Sequence, residues 1–180
     1  MIERTRFREA LPRDASDQAE VFHHAVMEGA SSHYSLVERE AWAAALPRTA
    51  EAWGVRQTLY TTLVAECDGH CIAFCEHDGT EARIETLYVW PSVARQGIGS
   101  RLLQLTLDRL ARQGHAEASI DASLMLAPAL EARGWERLGE AQVERHGVRL
   151  SRVRLQIALP EIDSPTVSYT HLTLPTIYSV

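Results

Sequence analysis

Apolar residues recur in two rhythms along this chain, and the switch between them sets the predicted elements. Segments 61–67, 70–75 and 81–89 are short apolar runs bounded by turn residues, which predicts β-strands. Asp68-Gly69 between the first two predicts a tight hairpin turn. Residues 97–113 instead place Leu103, Leu107, Leu110 and Ala111 close to one face at helical spacing. Upstream, 5–10 reads as a strand. Pro12-Arg13-Asp14 then turns into a helix over 15–28, with Asp14 as N-cap and Ala19, Phe22, Ala25 and Val26 inward. Ser35-x-x-Glu38 is a capping box opening a second helix, 35–46, which carries Trp42, and a further helical turn covers 50–56. Downstream come a strand at 118–122, a helix at 125–133, and strands at 136–143 and 148–158. The predicted order is β-α-α-β-β-β-α-β-α-β-β, an α/β (α+β) chain without internal repeats.

The junction between the third strand of the central group and the long helix carries the chemistry. Trp90-Pro91 breaks the strand, and Ala94-Arg95-Gln96-Gly97-Ile98-Gly99-Ser100 enters the helix. Two glycines in a first turn let main-chain N–H groups approach a ligand with no Cβ in the way. Those N–H groups lack intrahelical partners and lie at the positive end of the helix dipole, so the turn suits a phosphate. Two phosphate motifs are excluded by spacing. A dinucleotide-binding G-x-G-x-x-G would need glycine where Leu102 stands, and a nucleoside-triphosphate loop needs a lysine, of which the chain has none.

Composition narrows the partners. A chain of 180 residues with 46% apolar content suits one soluble α/β domain with a real core. No apolar run approaches the ~18–20 residues of a membrane span, and no secretory signal pattern opens the chain, so a cytoplasmic location without membrane contact is expected. A net charge of −6 disfavours nucleic acid as partner. Cys67, Cys71 and Cys75 are odd in number and lack C-x-x-C spacing, which predicts reduced thiols used as small core residues and no metal site. The acidic balance permits a polyamine or aminoglycoside substrate without selecting one. At the C-terminus, Val167-Ser168-Tyr169-Thr170-His171-Leu172-Thr173-Leu174-Pro175-Thr176 matches one reading frame of a common transposon-based sequencing adapter. The expected organisation is therefore a domain over 1–160, a short tail at 161–166 and a non-native segment at 167–180.

Gly97 and Gly99 fit the signature Q/R-x-x-G-x-G/A, and the chain resembles the GNAT superfamily of N-acetyltransferases; Ala94 stands where glutamine or arginine is usual. The resemblance covers residues 5–159 in element order. A second match is Asp121-Ala122-Ser123 with Ala127-Pro128 and Glu131-Ala132-Arg133-Gly134-Trp135, similar to the family's short helix ending in Gly-Phe. The joint His33-Tyr34-Ser35 with Ala41-Trp42-Ala43 resembles one bacterial branch of small GNAT enzymes. The resemblance implies a mixed, mostly antiparallel sheet flanked by helices, acetyl-CoA as cosubstrate, no metal, and acetyl transfer to a primary amine of a small molecule or peptide. A homodimer is compatible with it. The alternative is a catalytically weak acyl-CoA-binding sensor or interaction module.

Carried onto these residues, the resemblance puts the pyrophosphate on the amides of Gln96, Gly97, Ile98, Gly99 and Ser100. Arg95 and Arg101 are the charge partners, Arg101 being equally readable as a solvated surface residue. The pantetheine arm runs beside Leu87, Tyr88 and Val89, where the Val89 amide would polarise the thioester carbonyl. Ser123 reads either as a hydrogen-bonder to pantetheine or the leaving sulfur, or as a helix N-cap. Glu85 interrupts an apolar strand and is the candidate base; period two places it with Leu87 and Val89 on one face unless a bulge intervenes, and the alternative is a solvated edge residue. Glu76 and His77 are weaker candidates. Leu130 occupies the position where the family's proton-donating tyrosine is expected, leaving Tyr34 or Tyr88 as substitutes. His33, Tyr34 and Trp42 are placed toward the acceptor, with Trp42 the one best read as core.

Overall fold

The computed structural model describes residues 2–162; the adapter-like segment lies outside the described residues. Its elements are β1 (Arg6–Glu9), α1 (Ala15–His24), α2 (Leu36–Ala44), α3 (Ala50–Leu59), β2 (Thr61–Cys67), β3 (His70–Asp78), β4 (Arg83–Val89), α4 (Ile98–Arg112), β5 (Glu117–Ser123), α5 (Ala127–Glu131), β6 (Glu136–Arg145) and β7 (Val148–Ala158). A wider π-type turn, Ala25–Gly29, continues α1. The seven strands lie in the order β1-β2-β3-β4-β5-β7-β6, all neighbours antiparallel except β4 and β5. This is the mixed, mostly antiparallel, helix-flanked sheet that the resemblance implies.

Local rules account for much of it. Asp68 and Gly69 both take positive φ, as a two-residue hairpin turn requires. Ser35 Oγ accepts from the Glu38 N–H at 3.2 Å while the Ser35 N–H donates to Glu38 Oε2 at 2.7 Å, closing the expected capping box. Asp14 behaves differently. A 3₁₀ turn at Pro12–Asp14 runs straight into α1, so Asp14 is already helical and makes no side-chain cap. Its buried carboxylate accepts instead from the Leu11 N–H and from Arg8, and those bonds hold its pKa below the ordinary carboxylate range although burial opposes them. The expected turn at 50–56 is a full helix, capped by Thr49.

Two cores sandwich the sheet. Alternation sends Leu63, Ala65, Ala73 and Cys75 toward α4, and Val64 and Phe74 toward α1 and α3. On α4, Ile98, Leu102, Leu103, Leu107 and Leu110 form a buried stripe. Each such side chain contributes about 1.5–3 kcal/mol on burial, enough to fix which way the helix N-terminus points. Cys71 and Cys75 are core residues, and burial raises both thiol pKa values, Cys75 to about 12. Cys67, beside the hairpin turn, is only half-buried, because its strand ends at the surface.

Candidate active site

The turn into α4 exposes its main chain. Gly97 is the N-cap at φ +86°, a conformation that other L residues adopt only under strain, and Arg95 before it also has positive φ. Arg101 N–H donates to the Gly97 carbonyl, but among the described residues the amides of Gln96 to Ser100 find no acceptor. The side chains of Arg95 and Arg101 are exposed and make no ion pair or hydrogen bond among the described residues. Gly99 has a different role: a Cβ there would stand 3.1 Å from Val89 Cγ2. Its absence seats the helix start directly on the end of β4.

The space beside that start is a wedge in the sheet. β4 and β5 pair only at Arg83↔Ser119 and Ile84↔Ile120, after which β5 continues against β7 alone. The far half of β4 therefore has a free edge. Its orientation follows from the ladder. Trp90 N–H donates to the Ile72 carbonyl, so Ala73↔Val89 and Cys75↔Leu87 are the non-hydrogen-bonded pairs of the β3–β4 ladder. The N–H and C=O groups of Leu87 and Val89 point into the wedge. Those of Tyr88 pair with Phe74 in β3, so Tyr88 offers no main-chain group to a bound arm, contrary to the expected three-residue contact.

A bulge decides where Glu85 points. Pairing steps from Glu76↔Thr86 to His77↔Ile84, leaving Glu85 as the extra residue of β4. Leu87 and Val89 pack toward α4, whereas Glu85 shares a cavity of about 400 Å³ with Thr86 and Tyr88 on the opposite face. The one-face placement by strict period two is thus corrected. Phe22, Trp42, Arg56 and Tyr60 also line this cavity, as does the tip of the β6–β7 hairpin, Glu144 included, with His146 Nε2 3.0 Å from the Ala44 carbonyl. Arg83 holds Glu85 at 3.1 Å and also reaches Asp121 at 3.0 Å, tying the carboxylate to the closed end of the wedge.

The other expected site residues have different employment. Glu76 is fully buried; Arg56 donates to it at 2.6 Å and the Thr86 hydroxyl at 2.9 Å, so its carboxylate is spent on structure. His77 is fully buried outside the cavity, both ring nitrogens unpartnered, and burial together with the Arg109 charge lowers its pKa to about 4. Tyr34 is a strut. Its hydroxyl donates to the Ser151 carbonyl at 2.7 Å and accepts from the Leu124 N–H at 2.9 Å, and burial raises its pKa. A phenol so engaged is unsuited to be the proton donor. His33 sits on the surface beside Ser32 and does not line the cavity, whereas Trp42 is both buried and a cavity wall. Tyr88 faces the cavity, and burial pushes its hydroxyl up to about 12. Ser123 Oγ accepts from the Leu126 N–H at 3.2 Å, the cap-like alternative. Leu130 is wholly in the core. Arg56, Arg145 and Arg152 escaped the sequence reading, because no local pattern relates α3 to the last hairpin.

Among the described residues no helix is long and apolar enough to cross a membrane, and no cluster of three or more acidic, His or Cys side chains could hold a metal ion. The model of the acetyltransferase (GNAT) domain matches residues 13–157. The chain is 27% identical over 136 residues, 84% of the relative's length and 76% of its own, to the uncharacterized N-acetyltransferase YafP of Escherichia coli strain K12. A crystal structure of a GCN5-related N-acetyltransferase from Rhodopseudomonas palustris superimposes with a TM-score of 0.80 at 25% identity, covering 86% of this chain and 95% of that one. The putative acetyltransferase yncA of Salmonella typhimurium, solved with its cofactor acetyl-CoA, matches with a TM-score of 0.59 at 22% identity over 91% of this chain and 99% of that one.

Proposed function

The chain belongs to the GNAT acetyltransferase family and is an N-acetyltransferase, and on that premise we propose that it moves an acetyl group from acetyl-CoA to a primary amine, of a small molecule or a peptide, held in the Glu85 cavity. The observation that carries this reading is the alignment of three features. Bare amides at Gln96–Ser100 stand at the mouth of the wedge, the free edge of β4 lines it, and the cavity opens on the other face of the same strand. Acetyl-CoA, when bound, supplies an acyl thioester. The residues fit it, since a diphosphate satisfies the orphan amides between Arg95 and Arg101, and the Leu87 and Val89 main chain can pair with an amide-bearing arm.

The roles follow from the atoms on offer. The Val89 N–H is the donor to the acyl oxygen, and one such preorganised donor in a dry site is worth roughly 3–4 kcal/mol. An alkylamine with a pKa of ~10 is mostly protonated near neutrality. Glu85 takes that proton directly or through one water, a contribution of ~10²–10⁴ in rate. Its ion pair with Arg83 fixes the carboxylate beside the strand that presents the acyl group. As the C–N bond forms the nitrogen sheds its second proton to solvent and the C–S bond breaks; the departing thiolate draws a proton from solvent, since Leu130 has none to give and the Tyr34 proton is held by Ser151.

The test is thiol release from acetyl-CoA across a panel of amines, with acetyl-CoA affinity measured separately. Glu85→Gln is expected to lower kcat by about 10²-fold while leaving that affinity unchanged. Binding without thiol release for every amine, or a Glu85→Gln enzyme within threefold of wild type, would refute the assignment.

A further inference from the structure

Two guanidinium groups on the β6–β7 hairpin line the Glu85 cavity without an ion pair among the described residues; Glu144, which also lines it, is exposed and bridges to neither. Arg145 makes one hydrogen bond, to the main-chain carbonyl of Glu144 at 3.0 Å, and no ion pair among the described residues. Arg152 has neither among the described residues, although it is half-buried. The third cavity arginine, Arg56, is already neutralised by Glu76 beneath it, and Glu85 is engaged by Arg83 outside the cavity. Burial, then the charges of Arg152 and Arg56, hold the pKa of Arg145 below its ordinary value. Two like charges drawn partly out of water and left unpaired are costly unless an anion comes to them. The same cavity has an apolar, aromatic part of its lining in Phe22 and Trp42.

We propose that the acceptor carries an anionic group as well as its amine: an amino-acid-sized molecule whose carboxylate is gripped by Arg145 and Arg152 while its amine reaches Glu85. This deepens the transferase reading above and rests on it. A polyamine or aminoglycoside, which the overall acidity permits, would set a second cation against two unpaired guanidiniums. The two arginines are specificity residues. They need not touch the reacting atoms, and a planar guanidinium matches a carboxylate through paired N–H donors. The cavity, about 400 Å³, leaves room for a side chain against the aromatic wall.

The experiment compares acetylation by the full chain of free amino acids, of the same amino acids as primary amides, and of diamines. Free amino acids are expected to be the best acceptors. Arg152→Gln and Arg145→Gln are each expected to raise KM for them by about 10- to 100-fold, with little change in kcat or in acetyl-CoA affinity, and with the penalty absent for the amides. Thermal melting of each variant checks that it folds. If diamines or neutral amides are acetylated as efficiently as the acids, or if the arginine variants slow acids and amides alike, the anion site is wrong while acetyl transfer stands. If no amine of any class releases thiol although acetyl-CoA binds, the transferase reading falls and this proposal with it.

Discussion

Replacing Gly97 separates backbone strain from charge at the turn into α4, where the diphosphate is proposed to sit. Gly97→Ala imposes a Cβ on a residue at φ +86°, a left-handed conformation that costs an L residue roughly 1–2 kcal/mol. Space is not the obstacle, for the new Cβ would meet only Ile2 Cδ1 at 3.4 Å. Gly97→Glu carries the same strain plus a carboxylate at the positive end of α4, which recovers about 0.3–1 kcal/mol from the dipole. The two variants should therefore melt within a few degrees of each other. They should differ in affinity for acetyl-CoA. With a carboxylate about 5 Å from a diphosphate bearing two charges, each pair costs about 0.8 kcal/mol at the dielectric of water and about 3.3 at an effective value of 20. The turn is exposed, so the lower part of that range applies, and a total of about 2–4 kcal/mol corresponds to ~30- to 1000-fold weaker binding. Calorimetric titration at low and high salt reads both the ratio and its screening, which should shrink the difference as ionic strength rises. A Gly97→Glu chain that binds acetyl-CoA within threefold of Gly97→Ala would remove the diphosphate from this turn.

Two further outcomes test assignments made from geometry. Tyr34→Phe strands the Leu124 N–H and the Ser151 carbonyl and should cost ~1–3 kcal/mol in urea unfolding; a strut leaves the pH–rate profile unchanged, and loss of its alkaline limb would instead make Tyr34 the proton donor. His77, whose folded pKa of about 4 lies below its unfolded value of ~6.5, stays neutral in the fold while the unfolded chain takes up its proton. Its contribution is therefore fully present above ~6.5 and is lost as pH falls toward about 4, amounting to about 2–3 kcal/mol by pH ~4.5. Urea unfolding of wild type and His77→Leu at both ends of this window should show the excess acid sensitivity only in wild type, and equal sensitivity in both would refute the assignment.

Sequence alone determined whatever a few adjacent residues decide among themselves. The Ser35–Glu38 box, the Asp68-Gly69 turn and the glycine-bearing start of α4 each follow from a cap, a φ angle or a missing Cβ, and each stands where the pattern put it. The apolar rhythms likewise gave the strand and helix order, because burial of one face is a property of spacing. Only the tertiary structure decided which way the site residues look. Glu85 turns into the cavity because its register with β3 slips by one residue, and in a period-two element one residue changes the face. Tyr34 is held in place by partners 117 and 90 positions away, so its short motif could not reveal its role. Arg145 and Arg152 come to the Glu85 cavity only when β7 inserts between β5 and β6, and a net charge of −6, being a sum over the whole chain, carries no information about the charges of one cavity. Contacts distant in sequence fix the direction of a side chain, and direction is what separates a cavity carboxylate, a strut and an unpaired guanidinium.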